Sequence, residues 1–330
     1  MKLTKALVPG SRLILAASTG GHLAELVRIA PTLKPSRDSL WITFDTHQSR
    51  SLLHDRRTLF VPFVAPRDPV AVMRASQVVA RWVWRQRSSY AFAMSTGAAI
   101  ALSVLPVTRA FGIPSLYIES IARLDGPSMT GRLLERLPGI GLASQNPSWG
   151  RDRWGHVAGV LGTFASIDRP ISTAPERIFV TVGTLEKYPF NSLLDRLMQL
   201  GVAGDQMIWQ VPSTHRPLPG RVVSHLTSED FDEQVRRADV VVCHAGVGTL
   251  MRLWELGKYP IVVPRRQHRG EHVDDHQLQI ASLVEHHGLG LVREVDQLGI
   301  DDLRLAASRD VVEVAGVSGP SLAQYCSRSS

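Results

Sequence analysis

The chain has 330 residues, which suggests two domains of about 150 residues each. Its formal charge of +7 favours anionic partners, but neither zinc-finger spacing nor an aromatic ribonucleoprotein box indicates nucleic acid. The two cysteines, Cys243 and Cys326, are too few for a disulfide framework, and the first residues lack the apolar region of a signal peptide, so we expect a cytoplasmic protein.

The first half alternates apolar, strand-like runs with helical patterns. Strands are predicted at Leu13–Ala17, Leu40–Phe44, Leu59–Val64, Tyr90–Met94, Ser115–Glu119 and Ile140–Ala143, and helices at His22–Leu33, Asp68–Gln86 and Ala98–Phe111. Such alternation is typical of a parallel sheet wrapped by helices, and so of the α/β class. The uncharged run Ser88–Thr108 is long enough to span a bilayer, but the polar turn Ser95–Gly97 divides it into a strand and a helix.

The composition of Leu161–Glu176 is that of a linker, and the alternation then begins again. The second set of strands is predicted at Arg177–Val182, Met207–Val211, Arg221–Ser224, Asp239–Cys243, Pro260–Val263 and Gly290–Arg293. Its helices are predicted at Asn191–Leu200, Glu229–Arg237, Thr249–Leu256 and Asp274–His287. We therefore expect domains at 1–165 and 174–315, with residues 316–330 as a C-terminal segment that packs back on the first domain.

Three glycine-containing turns follow predicted strands. In the turn after Val240–Val242, Gly246 and Gly248 let a ligand approach the backbone, and Thr249 adds a hydroxyl where a helix begins. The N–H groups and the dipole of a helix start favour a phosphate, although the spacing fits neither GxGxxG nor a P-loop. The alternative is a tight turn without a ligand.

The other two turns are Ser18–His22, with Gly20 and Gly21, and Val182–Thr184. Because each closes the first strand of a half, two similar domains facing one cleft are expected.

These motifs together resemble the GT-B glycosyltransferases. The donor half is matched by His244–Thr249, Trp254–Lys258, Pro260–Arg265 and Asp275–Leu278, and the acceptor half by Ser18–Leu23, Tyr117–Ser120, Ala122 and Arg123. The chain looks like a fusion of the PssD- and PssE-type exopolysaccharide transferases and is more distantly similar to the MurG-like transferases of glycosyltransferase family 28. The resemblance runs from about Leu13 to about Leu291.

The resemblance implies two Rossmann-like domains and an inverting transfer from a UDP-sugar to a lipid-diphosphate-linked saccharide, without a metal or other cofactor. It implies a donor site that comprises Gly183, Thr184, His244, Gly246, Gly248, Thr249, Arg265, His276 and Gln277. The acceptor or its phosphate is expected near Gly20, Gly21 and Arg123. Which sugar is transferred stays open between glucuronate, N-acetylglucosamine and glucose.

Two residues compete for the role of the general base that takes the proton of the acceptor hydroxyl. His22 follows the first glycine turn, and Glu119 ends a predicted strand; Asp45 is a weaker third candidate. The alternatives are a histidine that caps its own helix and a carboxylate that is bonded to neighbouring N–H groups.

The loop from Arg265 to His272 concentrates positive charge after a strand end, which favours contact with a diphosphate or an acidic sugar. The alternatives are a solvated basic loop and, for His272, Asp274, Asp275 and His276, a metal site. One departure from the family concerns the ribose-binding glutamate of MurG. Its position corresponds to Arg252 here, so that ribose recognition by Glu255 is in doubt.

A basic helix with tryptophans suits the surface of an anionic membrane. Arg81, Trp82, Trp84 and Arg85 form such a segment, which predicts peripheral attachment to the inner face of the plasma membrane. The alternative is an ordinary surface helix. Rival functions are a soluble natural-product glycosyltransferase, a nucleotide-sugar 2-epimerase of the same fold, and a non-catalytic membrane adaptor.

Overall fold

Two parallel sheets, each wrapped by helices, organise the chain. The computed structural model describes residues 8–65, 67–86, 89–146, 148–149, 153–170, 174–183, 186–202, 204–212, 214, 217–273 and 275–314, and of residue 276 only the backbone. The described residues form two compact units, one ending at Val160 and the other beginning at Leu161. Within the described part, no helix is long and apolar enough to cross a membrane.

The first unit contains a seven-stranded, wholly parallel sheet in the order β3-β2-β1-β4-β5-β6-β7. Its strands are β1 (Leu13–Ala17), β2 (Leu40–Thr43), β3 (Thr58–Phe60), β4 (Phe92–Gly97), β5 (Ser115–Glu119), β6 (Ile140–Ser144) and β7 (Trp154–His156). Its helices are α1 (Gly21–Ile29), α2 (His47–Leu52), α3 (Pro69–Gln86), α4 (Ile100–Ala110) and α5 (Met129–Glu135). Every residue of β1 is buried, as expected for a strand that helices cover on both faces.

The second unit repeats this arrangement with a six-stranded parallel sheet in the order β11-β10-β9-β12-β13-β14. The strands are β9 (Ile178–Thr181), β10 (Met207–Gln210), β11 (Arg221–Val223), β12 (Val240–His244), β13 (Ile261–Val263) and β14 (Leu291–Val292). The helices are α6 (Asn191–Gln199), α7 (Ser228–Arg237), α8 (Val247–Glu255), α9 (His276–His286) and α10 (Ile300–Ala307). A separate antiparallel pair joins β8 (Phe164–Asp168) to β15 (Arg309–Glu313).

Both sheets have the strand order of dinucleotide-binding folds. In each, the order reverses between two central neighbours, which are β1 and β4 in the first unit and β9 and β12 in the second. Ligands of open α/β sheets bind outside the carboxyl ends of the strands at this reversal. The fold therefore places one candidate crevice in each unit, at the residues that follow these four strands.

Three predictions about local structure differ from the observed elements. The segment Leu161–Glu176 is not only a linker, because β8 lies within it and pairs with β15. The polar residues Ser95–Gly97 continue β4 rather than forming a turn. The short α2, the polar α5 and α10, and the edge strands β7 and β15 were not predicted, because none shows a long apolar period. The predicted C-terminal segment, 316–330, lies outside the described residues.

Candidate functional site

The carboxyl end of β12 leads into an uncapped helix start in the second unit. Gly246 is the N-cap of α8, no side chain bonds to the first turn, and the N–H of Leu250 donates to the Gly246 carbonyl at 2.9 Å. The N–H groups of Val247, Gly248 and Thr249 therefore precede the first intrahelical bond, and these residues are partly exposed. A helix start of this kind is a site for an anion.

The side chain of His244 packs against the two glycine turns around it. A β-carbon at Gly183 would lie 2.7 Å from His244 Nε2, and one at Gly246 would be closer still. Gly183 also has φ of +80°, which favours glycine. Burial and the nearby guanidinium of Arg265 lower the pKa of His244 to about 3, so the ring is neutral. His244 thus shapes the two turns. Only 9% of the residue is exposed, so little of it could contact a sugar donor.

Gln277 joins the ends of two neighbouring strands. Its Oε1 accepts from the N–H of Ala245, after β12, at 3.2 Å and from the N–H of Arg265, after β13, at 3.0 Å. Because both partners are donors, the oxygen must face them and the NH₂ group must point away. His276 begins α9, but its side chain is not described, and Thr184 lies outside the described residues.

Arg265 does not present its charge to a ligand. Its side chain is 1% exposed, and its guanidinium donates to the carbonyls of Val182 at 2.5 Å, Glu271 at 3.1 Å and Tyr188. The ring of Phe190 lies 4.9 Å from the guanidinium carbon. Burial lowers the pKa of Arg265 to about 10. The prediction of a diphosphate or sugar contact is therefore wrong for this side chain, which instead joins the loops that follow β9 and β13.

The rest of the basic loop is also neutralised internally. Arg266 pairs with Glu294 at 2.6 Å, and Arg269 pairs with Asp296 at 2.8 Å. The argument for an acidic sugar depended on unpaired arginines after Val263, and these contacts remove that support. Asp274, a member of the alternative metal set, lies outside the described residues.

Arg252, whose position raised the doubt about ribose recognition in the sequence, contacts carboxylates. Its guanidinium binds both carboxylate oxygens of Asp232 on α7 and one oxygen of Glu255 at 2.9 Å. These contacts raise the pKa of Arg252. The doubt about ribose recognition by Glu255 therefore has a structural basis, because that carboxylate already has a cationic partner.

In the first unit, the glycine turn after β1 is held by a glutamine on α2. The Gly20 N–H donates to Gln48 Oε1 at 2.6 Å, and Gln48 Nε2 donates back to the Gly20 carbonyl at 3.3 Å. Gly20 has φ of +91° and precedes α1, whose start has no side-chain cap. Gly20 and Gly21 thus form a second, partly exposed helix start, in which the first intrahelical bond runs from the Ala24 N–H to the Gly20 carbonyl at 3.2 Å.

His22 lies at this helix start and is anchored to β4. Its Nδ1 is 3.0 Å from the Thr96 carbonyl, and the Thr96 hydroxyl donates to the His22 carbonyl at 2.7 Å. Since a carbonyl can only accept, Nδ1 carries the proton and the lone pair is on Nε2. The ring also fills the space beside Gly97, where a β-carbon would lie 2.7 Å from Nδ1. These contacts fix the tautomer and the orientation of the His22 ring.

Glu119, the rival base, is buried, and both of its carboxylate oxygens accept hydrogen bonds. It is 1% exposed, and it accepts hydrogen bonds from the Tyr117 hydroxyl at 2.9 Å and the Ser128 N–H at 2.8 Å. Burial raises the pKa of Glu119. A β-carbon on Gly131 would clash with one of its oxygens, so helix α5 packs directly on the carboxyl group. The structure places Glu119 inside the unit and not in a crevice, which corrects that prediction.

The two remaining first-unit candidates are Asp45, which has a cationic partner, and Arg123, whose backbone is held by neighbouring residues. Asp45 forms a two-bond ion pair with Arg50 at 2.6 and 2.7 Å, which lowers the pKa of Asp45 and makes it a weak base. Arg123 lies in the turn after β5, where its N–H donates to the Ser120 carbonyl at 3.1 Å. The Arg123 carbonyl accepts from Trp149 at 2.9 Å.

Sequence reasoning missed Glu25, a fully buried carboxylate one helical turn after His22. It accepts from the Ser120 hydroxyl at 2.6 Å, Gln145 Nε2 at 2.8 Å and the Ile121 N–H at 3.3 Å. Desolvation raises the pKa of Glu25 to about 7. Glu25 thus fastens α1, which carries His22, to the loops after β5 and β6. The available signal was a charged residue within the otherwise apolar face of α1.

Helix α3 buries one stripe and exposes a mixed face opposite to it. The buried stripe is Ala71, Ala75, Val79 and Val83. The exposed face, which we call the α3 outer face, consists of Val70, Met73, Arg74, Gln77, Arg81, Trp84 and Arg85. Trp84 is 63% exposed, whereas Trp82 packs against Tyr90 and lies under the Arg57 guanidinium. Exposure leaves Arg81, Trp84 and Arg85 accessible to a membrane surface, as the prediction requires, whereas Trp82 packs against the unit itself.

Comparisons with known proteins agree with this architecture. Residues 177–304 match the glycosyltransferase family 28 C-terminal domain. A UDP-N-acetylglucosamine–N-acetylmuramyl-(pentapeptide) pyrophosphoryl-undecaprenol N-acetylglucosamine transferase of Corynebacterium efficiens is 25% identical, over 92% of this chain and 89% of its own.

Among solved structures, MurG of Acinetobacter baumannii gives a TM-score of 0.56 at 18% identity and covers 90% of this chain and 89% of its own. SnogD of Streptomyces nogalater gives 0.54 at 15% identity, with 90% of both chains covered. These likenesses show a GT-B fold with two Rossmann-like sheets, and the domain match and the relative support a glycosyltransferase of family 28.

Proposed function

We propose that the chain is an inverting glycosyltransferase that moves a sugar from UDP to a polyprenyl-diphosphate-linked saccharide. The observation that carries the proposal is the uncapped start of α8, because it lies at the strand-order reversal of the domain that matches family 28. The Corynebacterium relative, whose name specifies a UDP-sugar donor and a pyrophosphoryl-undecaprenol acceptor, supports the same chemistry.

The α8 start would stabilise the leaving diphosphate. In an inverting transfer, the bond between the anomeric carbon and the β-phosphate oxygen breaks, and the electron pair stays on UDP. The N–H groups of Val247, Gly248 and Thr249 and the helix dipole are suited to bind that growing negative charge. The proposal needs no metal for this step. The NH₂ group of Gln277 would meet the sugar, since its oxygen is engaged with backbone N–H groups.

His22 is the proposed base. Its Nδ1–H is held by the Thr96 carbonyl, so that Nε2 can accept the proton of the acceptor hydroxyl as that oxygen attacks the anomeric carbon. Glu25 is the residue that positions α1 and hence this ring. The start of α1 after Gly20, which has no side-chain cap, would bind a phosphate of the acceptor through its positive dipole end.

The acceptor's lipid would be reached through surface contact. The α3 outer face combines three arginines with Val70, Met73 and Trp84, which suits peripheral binding to the inner face of an anionic plasma membrane. On the motif resemblance, we take the product to be a precursor of a cell-surface polysaccharide of the exopolysaccharide type.

A thermal-unfolding screen with UDP-glucose, UDP-N-acetylglucosamine, UDP-glucuronate and UDP tests the proposal. A nucleotide that binds only the folded protein raises the melting temperature with concentration. We expect a rise with UDP and a larger one with a single UDP-sugar, and turnover of that sugar with a polyprenyl-diphosphate saccharide. No rise with any of the four would overturn the proposal. Release of a free, altered sugar without an acceptor would instead identify a 2-epimerase.

A further inference from the structure

The second unit contains a cavity at the edge of its sheet opposite the donor site. It has a volume of about 370 Å³ and lies where β9, β10 and β11 begin and α7 ends. Its lining combines apolar side chains with guanidinium and amide groups: Ile178, Phe179, Ile208 and Ala238, with Arg177, Arg221, Arg237, Gln206 and Gln234. Nothing in the proposed reaction uses this edge, because the α8 start is at the carboxyl ends of the strands.

Gln234 is the side chain that indicates a ligand. It is 7% exposed, and its amide makes no hydrogen bond to any residue that the structure describes. Because Gln234 lines the cavity, its amide donor and acceptor reach the cavity and not the interior of the unit. They are therefore available to a polar partner that enters the cavity.

The three arginines indicate the charge of that partner. Arg177 pairs with Asp239 at 3.1 Å, and Arg237 pairs with Glu233 at 2.7 Å, but both pairs are exposed and can exchange partners. Arg221 has no carboxylate partner among the described residues. Arg221 thus keeps an uncompensated positive charge at the cavity. The other two guanidinium groups can each donate two parallel hydrogen bonds to an oxyanion.

We propose that this cavity binds a small organic phosphate, of the size and polarity of a sugar phosphate. Its phosphate would contact Arg221 with Arg177 or Arg237, and its hydroxyls would bond to the amides of Gln234 and Gln206. The volume falls within the range of small-molecule sites. Binding here would be separate from the donor site and independent of the proposed reaction.

Calorimetric titration with glucose 1-phosphate tests the inference, with glucose and inorganic phosphate as the other probes. The Gly248→Asp variant serves as the background, since it is expected to remove phosphate binding at the α8 start, and Arg221→Gln distinguishes the cavity from the start of α1. We expect glucose 1-phosphate to bind in this background, more tightly than inorganic phosphate, and glucose not to bind. Arg221→Gln should weaken binding by about tenfold or more. The matched control is Arg304→Gln, which changes an exposed arginine on α10 and should leave binding unchanged.

Gln234→Leu separates a binding role from a structural one. If the amide serves a ligand, the variant loses glucose 1-phosphate binding while its melting temperature equals or exceeds that of the parent. Loss of stability in this variant together with unchanged binding would overturn the inference. So would an absence of binding in the Gly248→Asp background, or equal affinity for inorganic phosphate and glucose 1-phosphate.

Discussion

The imidazole of His244 occupies the space that a β-carbon at Gly183 would need, across the strand-order reversal of the second sheet. His22 and Gly97 form the corresponding pair in the first unit. There the histidine lies in α1, after β1, and the glycine ends β4, whereas in the second unit the histidine ends β12 and the glycine follows β9. A neighbouring ring thus excludes a side chain at Gly97 and Gly183, whether or not a ligand approaches.

This packing predicts that Gly183→Ala is more destabilising than its backbone alone explains. Gly183 has φ of +80° and Gly201 has φ of +66°. At either position a residue with a side chain is strained, which costs about 1 kcal/mol. Only Gly183 has a ring in the way, because nothing lies within 4 Å of a β-carbon at Gly201. We expect Gly183→Ala to lose roughly 1–3 kcal/mol more than Gly201→Ala in urea unfolding. Equal losses would show that His244 moves freely aside.

Gly248→Asp is expected to abolish UDP binding while the protein stays folded. The substitution places a side chain and a negative charge at the α8 start, where the diphosphate should bind. Gly204→Asp makes the same change at an exposed glycine with open space around it and should keep wild-type affinity. Calorimetry with UDP distinguishes the two, and undiminished affinity in a folded Gly248→Asp protein would exclude this turn from the site.

His22→Ala should lower kcat by about two to four orders of magnitude with little change in UDP affinity. Glu119→Gln is the comparison, because that carboxylate is buried and bonded to Tyr117 and Ser128. We expect Glu119→Gln to lower the melting temperature and to keep most of the turnover of the folded fraction. The opposite pattern, a folded Glu119→Gln protein without turnover and an active His22→Ala protein, would make Glu119 the base.

Glu25 should make stability fall as the pH rises through about 7. Its folded pKa is about 7, above the ordinary value of 4.5, so the folded protein holds a proton that the unfolded chain releases. The stability that this proton confers is fully present below pH 4.5 and is lost as the pH rises through 7, by at most about 3 kcal/mol.

The side chain of Glu25→Gln stays neutral at every pH, so the variant lacks this pH-dependent contribution to stability. The melting temperature of the variant minus that of the wild type should therefore increase between pH 5 and pH 9. Glu229→Gln, at an exposed position of α7, is the control and should show a constant difference. A constant difference for Glu25→Gln as well would mean that the carboxyl group titrates normally.

Membrane binding should depend on the α3 outer face. We expect the wild type to sediment with anionic vesicles at low salt and to be released by high salt. Trp84→Ser, Met73→Ser and Arg81→Gln together should release the protein and leave UDP affinity intact. A control with Met198→Ser and Arg304→Gln removes an exposed methionine and an exposed arginine of the second unit. If the wild type stays in the supernatant, a soluble acceptor becomes the better hypothesis.

The sequence by itself determined the alternation of strands and helices, both parallel sheets and the positions of the glycine turns. Runs such as Leu13–Ala17 and Ser115–Glu119 were predicted to the residue, because the interior of a strand that is buried on both faces is nearly continuously apolar. The uncapped start of α8 was also visible in the sequence, since Gly246 and Gly248 follow an apolar run directly.

Only the tertiary structure decided which polar side chains serve the site and which serve the fold. Arg265 stands at a strand end, as site residues do, yet it is buried by the loops that follow β9 and β13. Glu119 also ends a strand, and α5 with the turn at Ser128 buries its carboxyl group. Glu25 stands in a helix and meets Ser120 and Gln145, nearly a hundred residues or more away. Whether a charge faces a crevice or the interior depends on such long-range packing, because a local pattern fixes the position of a residue on its element but not what covers it.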